Sequence, residues 1–135
     1  MSGSGVKQGV KRFVSNPEEL TRVYPEAFNS GDVEAVVALY EAEASLVVQP
    51  GQVAIGTEAI REVLRGFLGL KPKLVVDRPT VVPAGDLALI CYPWRLAGTA
   101  ADGSTVEIGG NAADILRRQA DQSWLIVVDN PFASA

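Results

Sequence analysis

Leu87-Ala88-Leu89-Ile90-Cys91-Tyr92-Pro93-Trp94-Arg95-Leu96-Ala97-Gly98, a turn at Ala101-Asp102-Gly103, and Ser104-Thr105-Val106-Glu107-Ile108-Gly109-Gly110-Asn111-Ala112-Ala113-Asp114-Ile115-Leu116-Arg117-Arg118 form the stretch that decides the fold. Successive strand residues point to opposite faces, so each segment divides into two rows. In 104–118 the even row is Val106, Ile108, Gly110, Ala112, Asp114 and Leu116, and the odd row includes Thr105, Glu107, Asn111 and Arg117. The even row is apolar apart from Asp114 and is expected to point inward. In 87–98 the row Ile90, Tyr92, Trp94 and Leu96 is expected to line the same interior, with Arg95 opposite. Short turns between long strands predict an antiparallel meander. It continues through Ala120-Asp121-Gln122-Ser123 into a strand at 124–129. It begins with 74–82, where Pro79 implies an edge or a bend.

Upstream the apolar period becomes helical. Asn16 as cap, Pro17 at the first helical position and Glu18 and Glu19 in the first turn start a helix with the stripe Leu20, Val23, Tyr24, Ala27 and Phe28. Asn29-Ser30-Gly31 stops it. Asp32 caps a second helix with Val33, Val36, Val37 and Tyr40 on its inner face, and 44–48 reads as a short strand closed by Gln49-Pro50-Gly51. Thr57 caps a third helix with the stripe Ile60, Val63, Leu64, Phe67 and Leu68, ended by Gly69. Helices first and hairpins after predict an α+β domain, with three N-terminal helices packed on a strongly bent antiparallel sheet. The small polar residues at the start predict a flexible arm over 1–14, followed by one domain over 15–135.

Composition narrows the chemistry. The 135-residue chain has no histidine and one cysteine, Cys91. That excludes Ser-His-Asp and Cys-His nucleophile systems, histidine zinc motifs, intramolecular disulfides and multi-thiolate metal sites. Carboxylates, tyrosines, amides, arginines and lysines must do whatever chemistry there is. Twelve Lys+Arg against sixteen Asp+Glu give a net charge of −4, and only Lys7, Lys11 and Arg12 cluster, so no nucleic-acid partner is expected. No apolar run approaches a membrane span, and Met1 to Gly9 lacks a signal-peptide core. A cytoplasmic protein without a membrane association is expected. No Gly-rich phosphate loop or dinucleotide fingerprint follows a strand, so neither cofactor nor metal is expected.

The segments 27–36 (Ala-Phe-Asn-Ser-Gly-Asp-Val-Glu-Ala-Val), Ile55-Gly56-Thr57-Glu58-Ala59-Ile60, Asp114-Ile115-Leu116-Arg117-Arg118 and 124–131 (Trp-Leu-Ile-Val-Val-Asp-Asn-Pro) resemble the SnoaL-like and ketosteroid-isomerase-like branch of the nuclear transport factor 2 superfamily. The resemblance covers about residues 17 to 131 and implies the cystatin-like cone of that superfamily, a pocket between sheet and helices, and a homodimer joined through the outer sheet face. The superfold hosts many activities, so function must be argued from the site. Ketosteroid isomerases use a carboxylate base and a tyrosine paired with a protonated aspartic acid that holds an enolate oxygen. The resemblance puts Tyr24 at the tyrosine and Asp114 at the aspartic acid. The base position falls on Val48, or on Gln49 after a one-residue shift, and neither accepts a proton.

Asp129 and Glu43 are the other candidate bases, with Glu43 expected in solvent. Asp129 reaches the interior if Val127 and Asp129 form the inward row, but Trp124, Ile126 and Val128 make the other row equally apolar. The candidate catalytic residues are Tyr24, Asp114 and Asp129, and the candidate ligand-binding residues are Tyr40, Val48, Ile90, Tyr92, Trp94 and Ala112. Each has a structural alternative: Asp114 as a buried brace, Tyr24 and Tyr40 as core, Tyr92 and Trp94 as interface, Asp129 as the side-chain turn of Asp-Asn-Pro. Two functions stand side by side. One is a cofactor-independent isomerase, cyclase or lyase acting on an apolar ligand that bears a carbonyl or hydroxyl. The other is a non-catalytic ligand-binding or dimerisation module.

Overall fold

Proline at the start of a helix gives up an N–H that would have been unpaired anyway, and the chain turns helical at Pro17. The computed structural model describes residues 13–134. Pro17–Glu19 forms one 3₁₀ turn, and α1 (Leu20–Asn29) follows. Asn16 makes no side-chain capping bond. The Ser15 N–H and hydroxyl instead donate to Glu19 Oε1 at 2.9 and 2.8 Å, and the Glu19 N–H closes the tight turn on the Asn16 carbonyl. Gly31, at φ 80°, takes the chain out of α1. The Asp32 side chain then caps α2 (Val33–Val37) by accepting the N–H groups of Glu34 and Ala35 at 3.1 and 3.3 Å. The predicted α2 stripe ran on to Tyr40, but the helix stops at Val37. Tyr40 opens β1 (Tyr40–Gln49) instead, because the Ile126 N–H bonds the Leu39 carbonyl and draws the chain into the sheet. α3 (Thr57–Leu68) starts from Gly56, at φ 89°, rather than from a Thr57 cap.

The remaining strands are β2 (Gln52–Ile55), β3 (Lys73–Val76), β4 (Thr80–Ala84), β5 (Leu87–Thr99), β6 (Thr105–Arg118) and β7 (Trp124–Ser134). Their order is β2-β1-β7-β6-β5-β3, with β4 also paired to β5. Pro79 splits the expected single strand 74–82 in two, and both pieces pair with β5 at different heights. The sheet is mixed rather than purely antiparallel: β1 runs parallel to β7 while every other pair is antiparallel. A strand that enters from a helix on the far side of the sheet can join the last strand without a hairpin, which frees it to pair in parallel. Shifts of register in β1, β6 and β7 bend the sheet around the helices.

α1 packs against β3, and α3 packs against β1 and β2. Leu20, Val23, Ala27, Val36, Ile60 and Leu64 meet Ile90, Leu96, Leu116 and Ile126 from the sheet in one core. This layered arrangement is α+β, with the helices packed on one face of a bent mixed sheet. Val14, which the expected arm includes, is buried, and its carbonyl accepts the Trp124 N–H at 2.9 Å. The rest of the expected arm through residue 12, with Lys7, Lys11 and Arg12, lies outside the described residues. Among the described residues no helix is long and apolar enough to cross a membrane.

Candidate functional site

Leu116 pairs with Ile126, whereas Ile115 pairs with Val128, so Val127 is an extra residue that β6 does not match. Such a bulge shifts the inward row by one. Trp124 and Ile126 point into the core before it, and Asp129 is buried after it. Both parities read from the sequence are therefore correct for part of β7. Asp129 comes to lie directly opposite Asp114, with Leu46 of β1 on its other side and Ile90 beyond Asp114. Two carboxyl groups thus sit side by side on an otherwise apolar inner face.

Neither is exposed, and each is bonded. Tyr92 donates to Asp114 Oδ2 at 2.5 Å, and the Asn130 N–H donates to Oδ1 at 3.2 Å. Tyr40 donates to Asp129 Oδ2 at 2.6 Å, and the Tyr24 hydroxyl lies 2.7 Å from that of Tyr40. Tyr40 has a single proton and gives it to Asp129, so Tyr24 is the donor in the tyrosine pair. A continuous chain runs from Tyr24 through Tyr40, Asp129 and Asp114 to Tyr92.

Burial, and then the neighbouring Asp129 charge, raise the Asp114 carboxyl well above the ordinary 3.8, against the downward pull of Tyr92 and the Asn130 N–H. Burial also raises Asp129, while its bonds to Asp114 and Tyr40 hold it back. Two carboxylates in such contact do not both ionise readily, so the pair favours sharing a proton, and Asp114, the more strongly raised of the two, is the side on which it is favoured. Burial raises all three tyrosines well above their ordinary 10, and they remain protonated.

A cavity of about 80 Å³ opens between helices and sheet. Its walls include Tyr24 and Phe28 of α1, Phe67 of α3, Tyr92 and Trp94 of β5, and Phe132 of β7, and Asp129 is its carboxyl group. Trp94 is anchored by its Nε1–H, which donates to the Pro131 carbonyl at 2.7 Å, and its ring meets Phe132 edge-on at 5.7 Å. Gly110 makes this anchoring possible. A Cβ there would stand 3.2 Å from the Pro131 oxygen and 3.6 Å from Trp94 Nε1. The room beside Gly110 is thus taken by the indole.

Of the candidate residues, Tyr24, Val48, Tyr92, Trp94, Ala112 and Asp129 line the cavity. Tyr40, Ile90 and Asp114 do not. Ile90 is fully buried in the core, and the buried Tyr40 and Asp114 are linked to the cavity wall through their hydrogen bonds with Tyr24, Asp129 and Tyr92. Tyr24 and Asp114 consequently do not converge on one point as a pair of donors; Asp129 and Tyr40 lie between them. Asp129 is not the turn-former either, since Asn130 Oδ1 accepts the Phe132 N–H at 3.2 Å and β7 continues to Ser134. Gln49 bonds Gln52, and Glu43 is exposed. The roles of Tyr40 and Tyr92 as bonds to the carboxyl pair were not read from the sequence. The register of Ile90 with Asp114, which puts Tyr92 on the diagonal, is the signal that reveals the second. Among the described residues no cluster of three or more Cys, Asp or Glu is placed to hold a metal.

A model of the SnoaL-like domain matches residues 20–126. Solved structures share the fold. A nuclear transport factor 2-like superfamily protein from Salmonella enterica serovar Typhimurium is 21% identical over 99% of this chain and 96% of its own, with a TM-score of 0.75. A ketosteroid isomerase-like protein from Erwinia carotovora atroseptica is 24% identical over 83% and 89%, with a TM-score of 0.68. An NTF2-like protein with a cystatin-like fold from Novosphingobium aromaticivorans is 21% identical over 87% and 81%, with a TM-score of 0.69. None of the curated protein sequences matches the chain.

Proposed function

For a chain that belongs to the SnoaL-like domain family, and whose cavity ends at a buried carboxyl pair, we propose cofactor-independent proton-transfer chemistry on a small apolar molecule bearing a carbonyl or hydroxyl group. The observation that carries this reading is Asp129, held in the cavity wall opposite Asp114 and in contact with it. Buried carboxyls with raised pKa values, in a mostly apolar pocket, are poised to exchange protons near neutral pH. Asp129 is the proton acceptor. Asp114 is a positioning residue that keeps the shared proton against it, and Tyr40 and Tyr92 hold the two carboxyls in place. Isomerisation, cyclisation and elimination of water all begin with such a proton removal. The base position that the resemblance implies falls on Val48, in the cavity wall, or on Gln49, neither of which accepts a proton, and Asp129 on the last strand takes that part.

A panel of enolisable ketones, β-hydroxy ketones and cyclic enols incubated with the protein in D₂O, read by mass spectrometry, tests the reading. Deuterium uptake or loss of water is expected for at least one compound, and Asp129→Asn is expected to slow it by about 10²-fold or more. Binding without any chemical change across the panel would leave the non-catalytic ligand-binding module, which the complete internal bonding of Asp114 favours. The protein is further proposed to act as a homodimer through the outer sheet face, whose apolar side chains are described below. Its working compartment is proposed to be the cytoplasm.

A further inference from the structure

The polar end of the cavity has an uneven stock of hydrogen-bonding groups. Three side-chain donors stand in its wall, and all three are already committed inside the protein: Trp94 Nε1–H to the Pro131 carbonyl, the Tyr92 hydroxyl to Asp114, and the Tyr24 hydroxyl to Tyr40. The last commitment follows from Tyr40, whose only proton goes to Asp129 and whose oxygen must therefore accept from Tyr24. Acceptors remain: the Asp129 carboxyl and the lone pairs of the Tyr24 oxygen. A carbonyl oxygen entering this end would meet lone pairs and no free side-chain proton. Leaving a buried acceptor so unpaired is unfavourable.

We infer that the cavity recognises its ligand as an O–H donor, a phenol, enol or alcohol on a small apolar body, and discriminates against ketones and ethers of the same shape. A primary ammonium group fits less well, because it carries three N–H donors and the side chains of the cavity wall offer two acceptor groups. The rings of Tyr24, Phe28, Phe67, Tyr92, Trp94 and Phe132 suit a flat or cyclic apolar body. The inference rests on the cavity being the ligand site and narrows the proposed substrate class to its hydroxyl half. The chain of tyrosines also makes the preference reversible by one change. Removing the Tyr40 hydroxyl leaves the Tyr24 proton without an acceptor and turns it toward the cavity.

Titration calorimetry with matched probes, phenol against anisole and cyclohexanol against cyclohexanone, tests this on the full chain. The hydroxylated member of each pair is expected to bind about tenfold tighter or more, the scale of one hydrogen bond to a buried acceptor. In Tyr40→Phe, with folding checked by thermal melting, cyclohexanone is expected to gain about tenfold relative to cyclohexanol. Cyclohexanone binding the unaltered protein as tightly as cyclohexanol overturns the inference, and this arm needs no variant. Failure of all four probes to bind at millimolar concentration overturns it together with the cavity as ligand site. Absence of deuterium uptake with the hydroxyl preference intact removes only the catalytic reading.

Discussion

Asp114 and Asp129 are the residues at which stability and chemistry pull in different directions. Each carries a native pKa above its ordinary value of 3.8, so above that pH the native state binds more protons than the unfolded chain. Stability from this source is fully present below the unfolded pKa and is lost as pH rises through the native one. Asp114→Asn, isosteric and unable to ionise, removes the dependence of its own site. Thermal melts from about pH 4 to about pH 8 are expected to show the wild-type midpoint falling relative to that of the variant. A wild-type midpoint that rises relative to the variant over this range contradicts the assignment. Asp114 was legible in the sequence because it breaks a clean apolar row. Asp129 was a candidate too, but its inward orientation was not legible, because a single unmatched residue, Val127, reverses the parity halfway along its strand, and nothing local to Trp124–Ser134 announces where the extra residue sits.

Among the elements, α1 and β3 are joined by one side chain acting as a strand partner. Asn29 Nδ2 donates to the Leu74 carbonyl at 3.0 Å, and Asn29 Oδ1 accepts the Leu74 N–H at 2.7 Å. The end of the helix thereby covers the free edge of a short strand, and the α1 face carrying Tyr24 and Phe28 is held against the cavity. Asn29→Ala leaves both Leu74 backbone groups without this partner and is expected to destabilise the fold by about 1–3 kcal/mol in urea unfolding. A change within about 0.5 kcal/mol would mean that the pairing contributes no more than an ordinary surface contact. In the sequence Asn29 reads only as a helix stop. The helical stripes of α1 and α3 were legible because their apolar period is local. The end of α2 was not, since Tyr40 fits the helical stripe and leaves it only because the sheet offers Ile126 as a partner.

For the whole molecule the outer face of the sheet matters most. Register links Val82, Leu89, Ile115, Val128, Ser45 and Ile55 into one row crossing six strands. Four of the six, Val82, Leu89, Ile115 and Ile55, are large apolar side chains left exposed by the single chain. An exposed apolar row of this kind suits the proposed homodimer interface. Ile115→Lys, at its centre, places a charge that a self-complementary interface would bring close to its symmetry mate. Light scattering is expected to give a dimer for the wild type and a monomer for the variant; a wild-type monomer at micromolar concentration rules this surface out as a stable interface.

The order of elements apart from β2 and the break at Pro79, the inward rows of β5 and β6, the aromatic walls and the lone carboxylate at Asp114 were determined by the sequence alone. Each depends on a period of about two or of 3.6 residues, set by local backbone geometry. Tertiary structure decided the parallel pairing of β1 with β7, the recruitment of Tyr40 into the sheet, the partnership of Asp114 with Asp129, and the direction in which the tyrosine protons point. Those features arise between strands far apart in the chain, where one bulge or one shared proton outweighs any local preference.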